Sequence, residues 1–187
     1  GNIAEVTYNQ GINILLNIFF GPVINAARAI AFQVNSALNS FVYNFQIALK
    51  PQIIKSYASG DNNYMHQLIF RGAKYSFFLM LLLCAPIILS TPQILSLWLV
   101  NVPDYTAIFC RLVLIESLIN SISGTLMSGV QASGKIKLYQ TVIGGVLLLI
   151  LPVSYLFLHF GYPPQITLYI SISILFQNVL KRINKIS

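Results

Sequence analysis

The stretches Phe77-Phe-Leu-Met-Leu-Leu-Leu83 and Val146-Leu-Leu-Leu-Ile-Leu151 are apolar at every position. A strand of a membrane barrel alternates polar and apolar residues over about ten positions, so these continuous runs favour helices. A helix needs about 20 largely apolar residues to cross the hydrocarbon core of a bilayer. Apolar runs of this kind recur along the chain, and we therefore predict an all-α integral membrane protein.

The overall composition supports this prediction. Of the 187 residues, 56% are hydrophobic and 8% are charged, whereas an ordinary soluble domain has about 25% charged residues. The abundance of Ile, Leu and Phe also argues against a disordered chain. The four acidic residues of the chain are Glu5, Asp61, Asp104 and Glu116. Four carboxylates are too few for carboxylate-rich metal centres and for most acid–base enzymes. We therefore expect a chain that is not an enzyme and that binds no metal or cofactor.

Polar breaks divide the apolar sequence into six candidate spans. They lie at about 3–20, 22–50, 68–90, 105–130, 138–160 and 165–181. The breaks contain turn residues such as Gly21-Pro22, Thr91-Pro92 and Gly161-Tyr-Pro-Pro164. We predict one six-transmembrane-helix bundle, a single lobe that covers residues 1–187.

The positions of the basic residues predict how this lobe is oriented. Cytoplasmic loops carry the excess of Lys and Arg. Nine of the 11 basic residues lie at alternate breaks or at the C-terminus: Lys50, Lys55, Arg71, Lys74, Lys135, Lys137, Lys181, Arg182 and Lys185. The breaks at 21–22, 91–104 and 161–165 contain none. We predict a multi-pass protein with both termini in the cytoplasm, and no nucleic-acid partner, because a nucleic-acid patch would not alternate in this way.

The first two spans carry polar stripes that cannot face lipid. At about 100° per residue, the second span places six residues within roughly a third of its circumference: Asn25, Arg28, Asn35, Ser36, Asn39 and Gln46. The first span has a ladder at i, i+4 spacing: Glu5, Asn9, Asn13 and Asn17. We expect the two stripes to share a water-accessible cavity. The alternative is that the side chains only join neighbouring helices, each contributing about 0.6–2 kcal/mol.

Two charged residues lie deep inside predicted spans. Arg28 is about 9 Å inside the second span, and it either faces the cavity or extends outward to the surface. Glu116 lies about 16 Å along the fourth span from Tyr105. An intramembrane carboxylate is a functional candidate, so Glu116 is a candidate ion-coupling residue for a proton or Na⁺, or else it neutralises an arginine on another helix. Close helix packing is expected along Ser117, Ser121 and Thr125.

One motif is set aside. The segment Gly129-Val-Gln-Ala-Ser-Gly-Lys-Ile136 follows the phosphate-loop pattern up to its lysine. It ends in Ile where a Ser or Thr must hold Mg²⁺, and it follows a membrane helix instead of a strand. We interpret it as a cytoplasmic turn and not as a nucleotide site.

Five segments, in order along most of the chain, carry a resemblance to a known family. They are Phe20-Gly-Pro-Val-Ile-Asn-Ala-Ala-Arg-Ala-Ile-Ala-Phe-Gln-Val-Asn35, Lys50-Pro-Gln-Ile-Ile-Lys-Ser-Tyr-Ala-Ser-Gly-Asp61, Ser96-Leu-Trp-Leu-Val-Asn-Val-Pro-Asp-Tyr105, Ala132-Ser-Gly-Lys-Ile-Lys-Leu-Tyr-Gln140 and Leu151-Pro-Val-Ser-Tyr155. Together they resemble bacterial polysaccharide flippases of the multidrug, oligosaccharidyl-lipid and polysaccharide exporter (MATE-like) superfamily.

This resemblance implies a fold of two six-helix lobes that face a central cavity and transport by alternating access. The chain looks like the C-terminal lobe, and the missing N-terminal lobe would be its partner. The implied substrate is an oligosaccharide on polyprenyl pyrophosphate, moved across the lipid bilayer of the bacterial cytoplasmic (inner) membrane. Arg28 would then meet the pyrophosphate.

Two other functions remain open at this stage. A cation-coupled multidrug exporter would share the fold but would favour a cavity richer in carboxylates. The second is a non-transporting membrane scaffold or a truncated remnant of a transporter. Continuous apolar faces on the first two helices would have favoured it, and the sequence lacks them.

Overall fold

The protein is all helical, as predicted. A computed structural model describes residues 2–132 and 136–186, with side chains over 4–132, 141 and 144–177. Within these residues the helices are α1 (Asn2–Phe20), α2 (Pro22–Ala58), α3 (Asn62–Leu89), α4 (Thr91–Trp98), α5 (Thr106–Ala132), α6 (Ile136–His159) and α7 (Ile166–Ile186). The six long helices fall on the six predicted stretches.

Besides shifts of up to six residues at other helix ends, two features differ from the prediction. Helix α2 continues through Pro51 to Ala58 instead of ending near residue 50. The reason is burial, because Ile53 packs in a cluster with Met65 of α3 and Leu126 of α5. The predicted break at 91–104 contains the short helix α4, described further below.

Among the described residues, two helices, α3 and α5, are long and apolar enough to cross a membrane. Shorter apolar helical segments lie at Gly144–His159 and Ile166–Gln177. A count of six crossings therefore stays a prediction. Several predicted features lie outside the described residues or side chains: the turn at Ser133-Gly134 with Lys135, and the basic groups of Lys137, Lys181, Arg182 and Lys185.

Helix α5 is the central helix, with α2, α3 and α7 packed against it. Its small residues Ser117, Ser121 and Thr125 are buried, as expected for close packing. On α3, a Cβ atom at Gly72 would lie 2.7 Å from Thr125 Cγ2 and 2.8 Å from Leu49 Cδ1 of α2. Three helices therefore meet at a point where only glycine fits.

The remaining long helices enclose a space beside α5. Helix α1 packs on α2 and α6, and α6 also contacts α7. At the α1–α6 contact, a Cβ atom at Gly11 would meet the side chain of Leu151. The side chains that the structure describes leave a space between the α1–α6 pair and the α2–α5–α7 group, and this space is the larger of the two cavities described below.

Candidate functional site

This cavity has a volume of about 700 Å³, which is within the usual range for ligand pockets of about 300–1,000 Å³. Its polar lining consists of two carboxylates, Glu5 and Glu116, four amides, Asn9, Asn35, Asn39 and Asn120, and four hydroxyls, Ser36, Ser117, Ser123 and Ser171. Tyr8 and Phe32 also line it. Lysine and arginine do not contribute to this lining among the described residues.

A second cavity of about 330 Å³ adjoins the first along α2. The two cavities share Ser36, Asn39 and Asn120, and the second extends to Gln46. Six of the ten residues in the two predicted stripes line these cavities: Glu5, Asn9, Asn35, Ser36, Asn39 and Gln46. Parts of the polar stripes of α1 and α2 therefore line the same cavity.

Arg28 lies outside both linings, so the expectation that it faces the cavity is corrected. It is 5% exposed. Its Nη1 donates a hydrogen bond to Asn13 Oδ1 at 2.6 Å, and its Nη2 donates to Asn9 Oδ1 at 3.0 Å. Its Cζ lies 4.4 Å from the centre of the Phe32 ring. Amide oxygens of α1 accept from both Nη atoms of the guanidinium, whereas the buried Nε has no hydrogen-bond partner among the described residues. The guanidinium sits behind Asn9 and Phe32 and does not extend to the surface.

Asn13, Asn25 and Asn17 also lie outside the cavity linings. Asn25 Nδ2 donates to the backbone oxygen of Asn13 at 3.0 Å, so both residues join α1 to α2. Asn17 is exposed on the surface, because the i, i+4 ladder turns slowly around the helix and leaves the cavity face after Asn9. For Asn13 and Asn25 the helix-joining interpretation replaces the cavity interpretation. The side chain of Asn17 makes no hydrogen bond among the described residues and so fits neither interpretation.

Asn35, Asn39 and Ser117 form a closed network between α2 and α5. Asn39 Nδ2 donates to Asn35 Oδ1 at 2.8 Å and to Ser117 Oγ at 3.0 Å, and Ser117 Oγ donates to Asn35 Oδ1 at 2.5 Å. Asn35 Nδ2 and Asn39 Oδ1 have no hydrogen-bond partner among the described residues. The network therefore fixes one donor and one acceptor at the cavity wall.

Gln46 is held at the far end of the polar stripe of α2. Its Nε2 donates to the backbone oxygen of Ser121 at 2.8 Å. Its amide also lies directly against Gly124 of α5, where a Cβ atom would clash with it. A glycine at this point lets the two helices approach closely enough for the amide to reach the α5 backbone.

Glu116 joins α5 to α7 at the cavity wall. Ser171 Oγ donates to Glu116 Oε1 at 2.8 Å, and Tyr8 of α1 lines the same cavity. No ion pair joins Glu116 to Arg28 among the described residues, and the guanidinium donates instead to Asn13 and Asn9. Glu116 Oε2 has no hydrogen-bond partner in the described part of the chain, so it can accept a proton or a cation from the cavity.

Sequence reasoning missed Ser171 and Tyr8 as members of this site. Ser171 lies in the alternation Ile170-Ser-Ile-Ser173, which does not place polar residues on one helical face. Tyr8 stands alone on an apolar side of α1. Only the approach of α1 and α7 to Glu116 brings these two hydroxyls into the site.

No protein-family model, curated protein or solved structure matches this chain. The resemblance to polysaccharide flippases therefore remains a prediction from the sequence segments. Within the described residues, no three His, Cys, Asp or Glu side chains come close enough together to hold a metal ion.

Proposed function

We propose that this chain is one six-helix lobe of a bacterial polysaccharide flippase that acts with an N-terminal lobe. The lobe spans the cytoplasmic membrane with both termini in the cytoplasm. The observation that carries the proposal is the cavity of about 700 Å³, to whose wall carboxylates, amides and hydroxyls contribute, between helices that expose large apolar side chains on their outer surfaces.

The outer surfaces support the membrane placement. Large apolar side chains are exposed on the outside of several long helices, for example Ile18 of α1, Leu82 of α3, Leu149 of α6 and Phe176 of α7. A soluble monomer rarely exposes contiguous apolar patches of more than a few hundred Å². Lipid is the solvent in which apolar outer faces and a polar interior are both stable.

The chemistry of the cavity favours a sugar as cargo. Sugar hydroxyls both donate and accept hydrogen bonds, and the wall offers them Asn35 Nδ2, Asn39 Oδ1 and the amide of Asn120. In this proposal Arg28 does not touch the pyrophosphate in the conformation described. It positions Asn9 and supplies positive charge one side chain behind the wall, which favours an anionic head group nearby.

A second candidate function, export of cationic drugs, is favoured by one observation. Glu5 and Glu116 both line the cavity, and these are two of the four acidic residues in the chain. A drug exporter would use these carboxylates to bind the cation, whereas a flippase would use the neutral amides.

A deletion and complementation experiment tests the proposal. In the native bacterium, we expect deletion of the reading frame that encodes this chain to abolish surface polysaccharide and to trap lipid-linked oligosaccharide on the cytoplasmic side. The wild-type gene and Asn44→Leu should restore export, because Asn44 is exposed outside the cavity linings. Asn120→Leu should not restore it, because this substitution removes a cavity amide that has no hydrogen bond elsewhere in the described residues.

The same strains separate the two cargoes. Normal surface polysaccharide in the deletion strain, together with increased accumulation of cationic drugs, would overturn the flippase proposal in favour of the drug exporter. Restoration of export by Asn120→Leu would remove the assigned role of the cavity wall.

A further inference from the structure

The short helix α4 links two helices that are long and apolar enough to cross a membrane, α3 and α5. It is attached to the bundle at two points. Thr91 Oγ1 donates to Ile87 O at 2.7 Å and so ties the start of α4 to the end of α3. Leu95 is buried in the same apolar cluster as Phe109 of α5. These contacts fix which sides of α4 face outward.

The two outward sides of α4 differ in chemistry. At about 100° per residue, Ser96 and Gln93 lie toward one flank. Leu97 follows beside Gln93, and Trp98, about 100° further round, lies toward the other flank. Leu97 is 88% exposed and Trp98 is 48% exposed. Val100, just after the helix, is also fully exposed. Within the described chain Leu97 and Val100 are left uncovered and Trp98 is about half covered, although this apolar flank lies beside a polar flank that suits water.

The location of α4 indicates what covers this flank. A connection between two membrane-crossing helices lies at the boundary between lipid and water. A helix with one apolar and one polar flank binds in the plane of this boundary, and Trp and Tyr are enriched there. Asp104 is the only charged residue in the segment from 90 to 105, so attraction to charged lipid head groups contributes little.

We propose that α4 lies in the plane of the membrane interface, with Leu97, Trp98 and Val100 inserted below the lipid head groups. This inference rests on the membrane placement proposed above and is independent of the cargo. Anchored in this way, α4 sets the depth of α3 and α5 in the bilayer. Because the anchor is apolar, its insertion should be the same in zwitterionic vesicles and in vesicles with anionic lipid.

Trp98 makes the proposal directly measurable, because it is the only tryptophan in the chain. The full chain is reconstituted into phosphatidylcholine liposomes, and Trp98 fluorescence is quenched by aqueous iodide or by lipids brominated near the carbonyl end or the middle of the acyl chain. We expect emission at shorter wavelength than that of a tryptophan in water, with little quenching by iodide. Bromine near the carbonyl end should quench more strongly than bromine at mid-chain.

A matched pair of variants gives the control. Leu97→Asp puts a charge on the apolar flank and should shift the Trp98 emission toward longer wavelength and increase quenching by iodide. Ser96→Asp puts the same charge on the polar flank and should leave both readings at the wild-type values. Equal behaviour of the two variants would overturn the proposal.

Flotation of the liposomes after an alkaline wash separates failure of this proposal from failure of the membrane placement. If the chain does not float with the lipid, both are overturned. If the chain floats but iodide quenches Trp98 fully, α4 is exposed to water and only the interfacial proposal fails. Protection of Trp98 from both iodide and brominated lipid would mean that protein covers the flank, and it would also overturn the proposal.

Discussion

Arg28 Nη1 of α2 donates a hydrogen bond to Asn13 Oδ1 of α1 at 2.6 Å. The positive charge is therefore held by amide dipoles of the neighbouring helix, with Asn9 as the second acceptor. An arginine left without partners near the membrane centre costs at least about 2.5–3.5 kcal/mol. The contact thus fixes α1 on α2 at the level where both helices form the cavity wall.

Replacing this cation should loosen the α1–α2 contact. Arg28→Met leaves Asn9 Oδ1 and Asn13 Oδ1 without their donors, and a hydrogen bond to a charged group contributes about 1.5–3 kcal/mol. We expect the free energy of unfolding in detergent micelles to fall by about that amount. Arg111→Met is the control, because Arg111 is exposed and makes one hydrogen bond, to Ile88 O at 3.2 Å. Equal losses in the two variants would contradict the structural role of Arg28.

The close approach at Gly72 gives a second prediction. Gly72→Leu forces a side chain between Thr125 and Leu49, and overpacking of this kind costs about 1–3 kcal/mol. Gly145→Leu adds the same side chain on α6, where no atom lies within 4 Å of the added Cβ. We expect a lower thermal midpoint in detergent for Gly72→Leu only. A wild-type midpoint for Gly72→Leu would show that the α2–α3–α5 packing is wrong.

A third prediction concerns Glu116 as the ion-coupling residue. Glu116→Gln keeps an oxygen that accepts from Ser171 but can neither take up a proton nor carry charge. We expect this variant to insert and fold normally while its transport no longer responds to a gradient of protons or Na⁺. Asp104→Asn, in the exposed loop after α4, is the control and should behave as wild type. Transport by Glu116→Gln that is unchanged across pH and Na⁺ would remove Glu116 from this role.

The sequence predicted the long helices well, because the extent of a helix depends largely on residues close in the chain, namely its own apolar run and the turn residues at its ends. It failed where burial between distant segments decides the structure. The second span was predicted to end near residue 50, but the burial of Ile53 against α3 and α5 carries α2 onward to Ala58. Thr91-Pro92 indicated a break, but Leu95 packs into the core and supports a short helix, for which Pro92 is well suited in the first turn.

The candidate site could likewise be predicted only within single helices and not between them. Helical spacing gives the direction of a side chain around its own helix, so the cavity positions of Asn35, Asn39 and Asn9 followed from the stripes. Spacing does not identify the neighbour on the facing helix. Arg28 was therefore expected to meet water or an anion, whereas the amide oxygens of α1 reach it first. Ser171 could not be predicted, because its role depends on where α7 approaches Glu116.

Thiol labelling in proteoliposomes tests the hydrated cavity, on which the transporter account depends. A thiol reacts as its thiolate, so a polar labelling reagent modifies a cysteine inside the membrane only where water reaches it. Ser123→Cys lies at the cavity wall, whereas Ser173→Cys is exposed on the outer side of α7. Wild-type protein is the blank, because Cys84 and Cys110 are 0% and 1% exposed. The account predicts rapid labelling of Ser123→Cys and slow labelling of Ser173→Cys; labelling of Ser123→Cys no faster than that of wild type would contradict it.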